Sequence, residues 1–178
     1  DDADIRGPRE YQFTISVQES LHSCTRELAI QRGGKPRVLR IKIPAGVDDQ
    51  TVLSVSVDGT KYPVRVHVKP DPYLERHGRD LTLHVPLTIS EALSGTTLEL
   101  PVPGTTVAVK LPPEHLRKGV LRLKGRGVPA NGSTPAGDLY VRTHVLPPDI
   151  VTDAAKQAAQ ALDDHYSMSV RRDLPKKL

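Results

Sequence analysis

Val64-Arg65-Val66-His67-Val68-Lys69-Pro70 alternates valine with a polar residue and stops at a proline. A period of two sets the three valines on one face of an extended strand and Arg65, His67 and Lys69 on the other. Such a strand belongs to a half-buried sheet. Proline, which cannot donate to a ladder, closes the run. The same pattern returns 77 residues later as Val141-Arg142-Thr143-His144-Val145-Leu146-Pro147. The echo makes the chain a repeat of β elements.

Working outward, alternation extends over Phe13, Ile15 and Val17, over Leu39, Ile41 and Ile43, over Leu81 to Leu87, over Val107 to Leu111, and over Val120 to Leu123. Turn formers punctuate these runs at Gly33-Gly34, Pro44, Asp58-Gly59, Pro70 and Pro72, Pro101 to Gly104, and Pro112-Pro113. Two more segments repeat in order. Gln18-Glu-Ser-Leu-His-Ser-Cys-Thr-Arg-Glu-Leu28 matches Ser90-Glu-Ala-Leu-Ser-Gly-Thr-Thr-Leu-Glu-Leu100 at an offset of 72, and Ile41-Lys-Ile-Pro44 matches Val109-Lys-Leu-Pro112 at an offset of 68. The expected fold is mainly β: two tandem, homologous small β-domains, each with a short helix, plus a C-terminal helix. The segments are a linker end over 1–10, domains over 11–70 and 71–149, the helix over 150–170 and a basic tail over 171–178. The short helices fall over Glu19 to Leu21 and Ser90 to Leu93, with Ser90 as the expected N-cap of the second.

Near the end the period changes. Val151, Ala155, Ala158, Leu162 and Tyr166 recur at three- and four-residue steps behind a capping Thr152 and an acidic Asp153, which predicts a helix of about four turns with one apolar stripe. The stripe can fold back on the sheets or pair with a second copy; pairing is the expectation, because a short amphipathic helix is marginal alone.

Composition excludes several classes. One cysteine, Cys24, supports neither an internal disulfide nor a multi-thiolate zinc site. No apolar run reaches the roughly 20 residues of a membrane span. The acidic, proline-bearing start lacks signal-peptide architecture and reads as the end of a linker from a longer protein, so a cytoplasmic location is expected. With aromatics at 3%, the interior must be aliphatic. A net charge of +4 permits contact with nucleic acid without demanding it.

Catalytic constellations fail one by one. Cys24 lies between Ser23 and Thr25 with nothing to activate it. Cys24 and His22 supply too few ligands for a structural zinc. His67, His84 and His144 fall on the polar faces of their strands, where solvent exposure is expected. Asp163, Asp164, His165 and Ser167 point in different directions on one helix and cannot form a triad. Lys124-Gly-Arg-Gly-Val-Pro129 lacks the Gly-Lys-Ser/Thr and the helix of a phosphate loop and is expected to be a tight turn. No enzyme activity and no cofactor are expected.

Read together, these segments resemble the C-terminal region of the DnaJ (forty-kilodalton heat-shock) co-chaperone family, of the zinc-free type. Arg40-Ile-Lys-Ile-Pro-Ala-Gly-Val-Asp-Asp49 is similar to the turn of its first β-domain. Val68-Lys-Pro-Asp-Pro-Tyr-Leu-Glu-Arg-His-Gly-Arg-Asp-Leu81 is similar to its interdomain junction. Val85-Pro-Leu-Thr-Ile-Ser-Glu-Ala-Leu-Ser-Gly95 resembles the start of its second domain, and Leu123-Lys-Gly-Arg-Gly-Val-Pro129 with Gly137-Asp-Leu-Tyr-Val141 its later part. The resemblance runs from about Gly7 to Pro147. It implies a stress-response co-chaperone that binds unfolded client polypeptide in an apolar groove between the first strands. It also implies handover of that client to a seventy-kilodalton heat-shock chaperone of the DnaK class. On this chain the groove maps to Phe13, Ile15, Leu28 and Ile30. The C-terminal helix, through Val151, Ala155, Ala158, Leu162 and Tyr166, would form a homodimer. The J-domain motif His-Pro-Asp and the cysteine-rich insert are absent from this sequence, so stimulation of ATP hydrolysis is not expected. The rival readings are a nucleoid-associated DNA-binding module and a purely architectural dimerisation module.

Overall fold

The computed structural model describes residues 11–32, 35–57, 59–114 and 119–175. The linker end over 1–10, the turns at Gly33-Gly34 and Asp58, and the last residues of the basic tail lie outside these. The chain is mainly β, and residues through Val145 form one compact unit while Leu146 onward forms another.

The first half of the β unit opens with β1 (Tyr11–Ser16) and α1 (Val17–Leu21) and continues through β2 (Cys24–Arg32), β3 (Lys35–Ile43), β4 (Thr51–Val57) and β5 (Thr60–Lys69). The second holds β6 (Leu74–His77), β7 (Asp80–Leu87), α2 (Ile89–Ser94), β8 (Thr96–Val102), β9 (Thr105–Leu111), β10 (Val120–Leu123) and β11 (Leu139–Val145). In the first half β5 lies between a parallel β1 and an antiparallel β4, and β2 and β3 form a separate hairpin. In the second, β11 lies between a parallel β7 and an antiparallel β10, with β8 and β9 as the hairpin. The sequence offsets are obeyed residue by residue. Tyr11 stands against Val64 as Leu83 stands against Val141, and Leu28 against Leu39 as Leu100 against Val107.

Each half buries the alternate residues of its sheet against its hairpin. Ile15, Ile43, Val47 and Val66 form one cluster of the first half, and Leu28, Ile30, Ile41 and Val64 another; Phe13 and Leu53 touch both. In the second half Leu81, Val85, Leu87, Leu100, Val109, Leu111, Val128, Leu139 and Val141 belong to one continuous cluster. Leu21 of α1 enters that second cluster, so the first half contributes to the core of the second.

The short helices begin where a side chain can satisfy the exposed N–H groups. Ser16 caps α1 and Thr88 caps α2, each closing a capping box with the glutamate three residues on, Glu19 or Glu91. The N-cap of α2 is therefore Thr88 and not the expected Ser90, because only Thr88 sits three residues before a glutamate that can answer its own N–H. The C-terminal helix α3 (Asp153–Asp163) is capped by Thr152, as expected, but is three turns long. Val151 and Tyr166 lie outside it, and both are exposed.

A loop after β10 is held by close packing. Gly127 N–H donates to Gly137 O at 2.9 Å and Val128 N–H to Arg79 O at 2.9 Å. The Arg79 side chain donates to Pro135 O at 2.8 Å and also to Pro129 O. A Cβ on Gly137 would sit 1.7 Å from Arg79 O, and one on Gly127 2.5 Å from Asp138 O. The Gly-Arg-Gly segment is thus a turn packed against backbone, as its sequence suggested.

Candidate functional site

β1 and β2 are edge strands of the first half. Each has a single strand partner, β5 and β3 respectively, so each has one edge with no strand on it among the described residues. Unpaired N–H and C=O groups on such an edge accept an added strand. The second half differs at one of these edges: β6 pairs antiparallel with β7 and covers the edge that its counterpart β1 leaves open.

All four expected groove residues project from β1 and β2 toward the interior between sheet and hairpin. Ile15 and Ile30 are each 1% exposed and Leu28 is 8% exposed. Phe13 is half-buried and touches both clusters of the first half. Ile15 lies in one cluster of the first half and Leu28 and Ile30 in the other, with Phe13, the accessible member, packed against both. Tyr11 lies on the same face of β1, its ring centroid 6.3 Å from that of Tyr62 at a tilt of 57°. On the hairpin, Val38 is exposed and shares its face of β3 with Arg40 and Lys42, while Lys35 and Arg37 are exposed near the start of the strand.

Side-chain caps hold the ends of β1 and β5. Glu19 accepts from Ser16 N–H at 2.9 Å and pairs with Arg26, and these partners hold its carboxyl below the usual range. Asp49 accepts from Val68 N–H at 2.8 Å, which lowers its carboxyl likewise. The acidic pair after Pro44 is thus structural: Asp48 pairs with Arg76 at 2.7 Å.

Arg76 is a feature the sequence reading passed over. It stands on β6 with its side chain 11% exposed, and it donates to Val47 O at 2.6 Å, Gly46 O at 2.8 Å and Gly78 O at 2.8 Å. It ties β6 of the second half to the β3–β4 turn of the first. Gln18 adds a bond to Asp71 at 2.8 Å across the same junction. The alternation Leu74, Arg76 ahead of Gly78 was the available signal for β6, partly hidden by the prolines before it. An apolar cleft of about 310 Å³ opens beside this junction, lined by Leu21, Tyr73, Leu74, Leu83, Pro101 and Val102 among others.

Of the three strand histidines, His144 is exposed as expected, while His67 and His84 are half-buried. His67 meets Gln50 at 2.9 Å on the open face of the first sheet. His84 is only 22% exposed and contacts His144 and Glu75, because β6 and β11 flank β7 and crowd that face. Of the expected dimer residues, Ala155 and Leu162 are half-buried, while Val151, Ala158 and Tyr166 are exposed. No helix among the described residues is long and apolar enough to cross a membrane.

The family model described as "DnaJ C terminal domain" matches residues 9–148. "Curved DNA-binding protein" of Coxiella burnetii (strain RSA 493 / Nine Mile phase I) is 32% identical over 183 aligned positions, covering 92% of this chain and 57% of its own length. "Chaperone protein DnaJ 1" of Mycobacterium tuberculosis (strain ATCC 25618 / H37Rv) is 36% identical over 137 positions, 71% of this chain and 34% of its own. "Chaperone protein DnaJ" of Roseiflexus sp. (strain RS-1) is 30% identical, covering 78% of this chain and 40% of its own. The chain thus spans between about a third and three-fifths of the length of these relatives.

Proposed function

The chain belongs to the DnaJ C-terminal domain family, and on that premise we propose that it is the client-holding part of a co-chaperone. In this reading the first half, residues 11–70, takes an extended segment of unfolded polypeptide between β1 and β2. The second half, 71–149, is the rigid support, with the division near residues 69 to 73. The observation that carries the proposal is the open edge of β1 beside the half-buried Phe13, set against the β7 edge that β6 closes. An added strand satisfies the free backbone groups, and its apolar side chains meet Phe13, beneath which Ile15, Leu28 and Ile30 are buried. Delivery to a seventy-kilodalton chaperone of the DnaK class, and homodimerisation through Val151, Ala155, Ala158, Leu162 and Tyr166, complete the reading. Two weak grooves in one dimer would gain by effective concentration.

The test is paired. Phe13→Ala is expected to reduce binding of an unfolded reporter polypeptide by about 1–3 kcal/mol, as loss of an aromatic anchor does, while the chain still melts cooperatively. Unchanged binding by a folded variant rejects the groove. Removal of residues 150–178 is expected to give a monomer in sedimentation; a monomeric full chain rejects the dimer.

A second reading is favoured by one observation, the exposed Lys35, Arg37, Arg40 and Lys42 along β3, together with the name of the Coxiella relative. As a DNA-binding module the chain would bind duplex with affinity falling steeply in salt. Client binding that persists at high salt, without duplex binding at low salt, decides against it.

A further inference from the structure

The two short helices match in sequence and differ in burial. At the offset of 72, Val17, Ser20 and Leu21 of α1 correspond to Ile89, Ala92 and Leu93 of α2, and the capping box of Ser16 with Glu19 corresponds to that of Thr88 with Glu91. Residues four apart share a helix face, so Val17 with Leu21 and Ile89 with Leu93 form the same apolar pair. On α1 both members are buried. On α2 no residue is buried, and Leu93 is 61% exposed.

What covers α1 is the segment that follows β5. Leu74 lines one hollow with Val17 and the junction cleft with Leu21, and it packs against the cluster that Leu21 enters. An aspartate brings it there. Asp71 Oδ1 accepts from Tyr73 N–H at 2.8 Å and from Leu74 N–H at 2.9 Å, and Asp71 Oδ2 accepts from the Gln18 side chain of α1 at 2.8 Å. This turn folds the chain back and ties it to the helix.

The sequence repeats that segment after β11 but not its aspartate. At the offset of 77, Pro70-Asp71-Pro72-Tyr73-Leu74 becomes Pro147-Pro148-Asp149-Ile150-Val151. The apolar pair is kept, and both Ile150 and Val151 are exposed, Ile150 to 79%. Pro148 stands in the place of Asp71 and has no carboxylate to accept the two N–H groups. Ser90 stands in the place of Gln18 and has no amide to reach across. One copy thus exposes an apolar pair on a helix. It also exposes, on a later segment, the pair that covers this helix face in the other half, without the aspartate turn that joins the two there. Matching surfaces left open in one chain are met by exchange between two chains.

We propose that the Ile89 and Leu93 face of α2 is the seat of Ile150 and Val151 from a second copy of this chain. The exchange is reciprocal across a two-fold axis, so it closes on itself and ends at two copies. This rests on the homodimer reading above and adds the surface that receives the partner.

Sedimentation of the full chain over a range of concentrations tests the seat. Leu93→Lys and Ile150→Asp are each expected to weaken dimerisation about tenfold or more. The melting temperature of the dilute chain is expected to hold, since both positions are exposed in the single copy. Combined in one chain, the two substitutions set a cation opposite a carboxylate across the contact and are expected to recover part of the loss. In a Cys24→Ser background, Leu93→Cys together with Ile150→Cys is expected to link two chains under mild oxidation. A full chain that is monomeric at high concentration overturns the homodimer reading and this inference with it. A dimer that is lost on removal of residues 150–178, yet indifferent to Leu93→Lys and to Ile150→Asp, leaves that reading standing and overturns the seat. So does a disulfide closed within one chain.

Discussion

The first and second halves of the β unit have the same strand order and register, yet their edges and interiors differ. In the first, β1 has an edge without a strand among the described residues, and the interior divides into two clusters that meet at Phe13 and Leu53. In the second, β6 pairs along the corresponding strand β7, and the interior is one continuous cluster that also takes Leu21 from α1. One pattern of alternation thus yields an open copy and a closed one. The segment that makes the difference is four residues long, Leu74–His77. On the proposed reading, the closed copy holds the open one in place, with Arg76 as the tie between them.

The sharpest way to break this comparison is at the matched core positions Ile15 and Leu87, 72 residues apart and 1% and 3% exposed. Ile15→Ala and Leu87→Ala are each expected to cost about 2–5 kcal/mol in denaturant unfolding. A loss well under 1 kcal/mol for Ile15→Ala alone would mean that the first half is open enough to relax around the gap. That result would extend the groove inward from Phe13.

Next in size is a pair at the offset of 77, Gly137 and Thr60. Gly137→Ala forces a Cβ into Arg79 O and is expected to cost about 1–3 kcal/mol or more. Thr60 is exposed, and Thr60→Ala is expected to stay within about 0.5 kcal/mol. Equal effects would show that the packed loop after β10 matters no more than the open turn of the first half.

Arg76→Ala tests the tie. It leaves the carbonyls of Gly46 and Val47 without their donor, at a cost of about 1–3 kcal/mol. It is also expected to separate one melting transition into two, read by hydrogen exchange in β1–β5 and in β7–β11. A single undivided transition would place the coupling in Leu21 instead.

The smallest effect is that of pH. Glu19 and Asp49 in the first half and Asp71 and Asp138 at or beyond the junction all have lowered carboxyl values. The main causes are backbone N–H donors at Glu19, Asp49 and Asp138 and the side chain of Gln18 at Asp71. A lowered folded value stabilises the chain above the ordinary carboxylate range and loses that contribution as pH falls through and below it. The melting temperature is therefore expected to fall on acidification to pH 3 and to be nearly flat from pH 6 to 8. Asp49→Asn is expected to reduce the acid slope in the first half only.

Much of this was legible in the residues. Alternation at Val64 to Val68 and at Val141 to Val145 identified β5 and β11, and the offsets placed their partners in register. Thr152 announced the start of α3, though Tyr166 promised a turn that the helix does not make, since the chain leaves the helix after Asp163. The accessibility of the candidate groove residues was not legible in the sequence. Phe13 touches both clusters of the first half, Ile15 belongs to one and Leu28 and Ile30 to the other; the same alternation fits a groove lining and a core, and Ile15 and Ile30 are buried.

The sequence by itself determined which residues form strands, which face of each strand is apolar, and that the unit occurs twice. These are local properties, set by period two and by turn formers a few residues apart. Only the tertiary structure decided which edge is paired, which apolar face is fully covered, and which polar side chains meet. Leu74–His77 lies against β7 while no described strand lies there against β1, Arg76 reaches Val47, and His84 meets both Glu75 and His144. Those outcomes depend on contacts between residues tens of positions apart, and a pattern with a period of two carries no record of what comes to lie beside it.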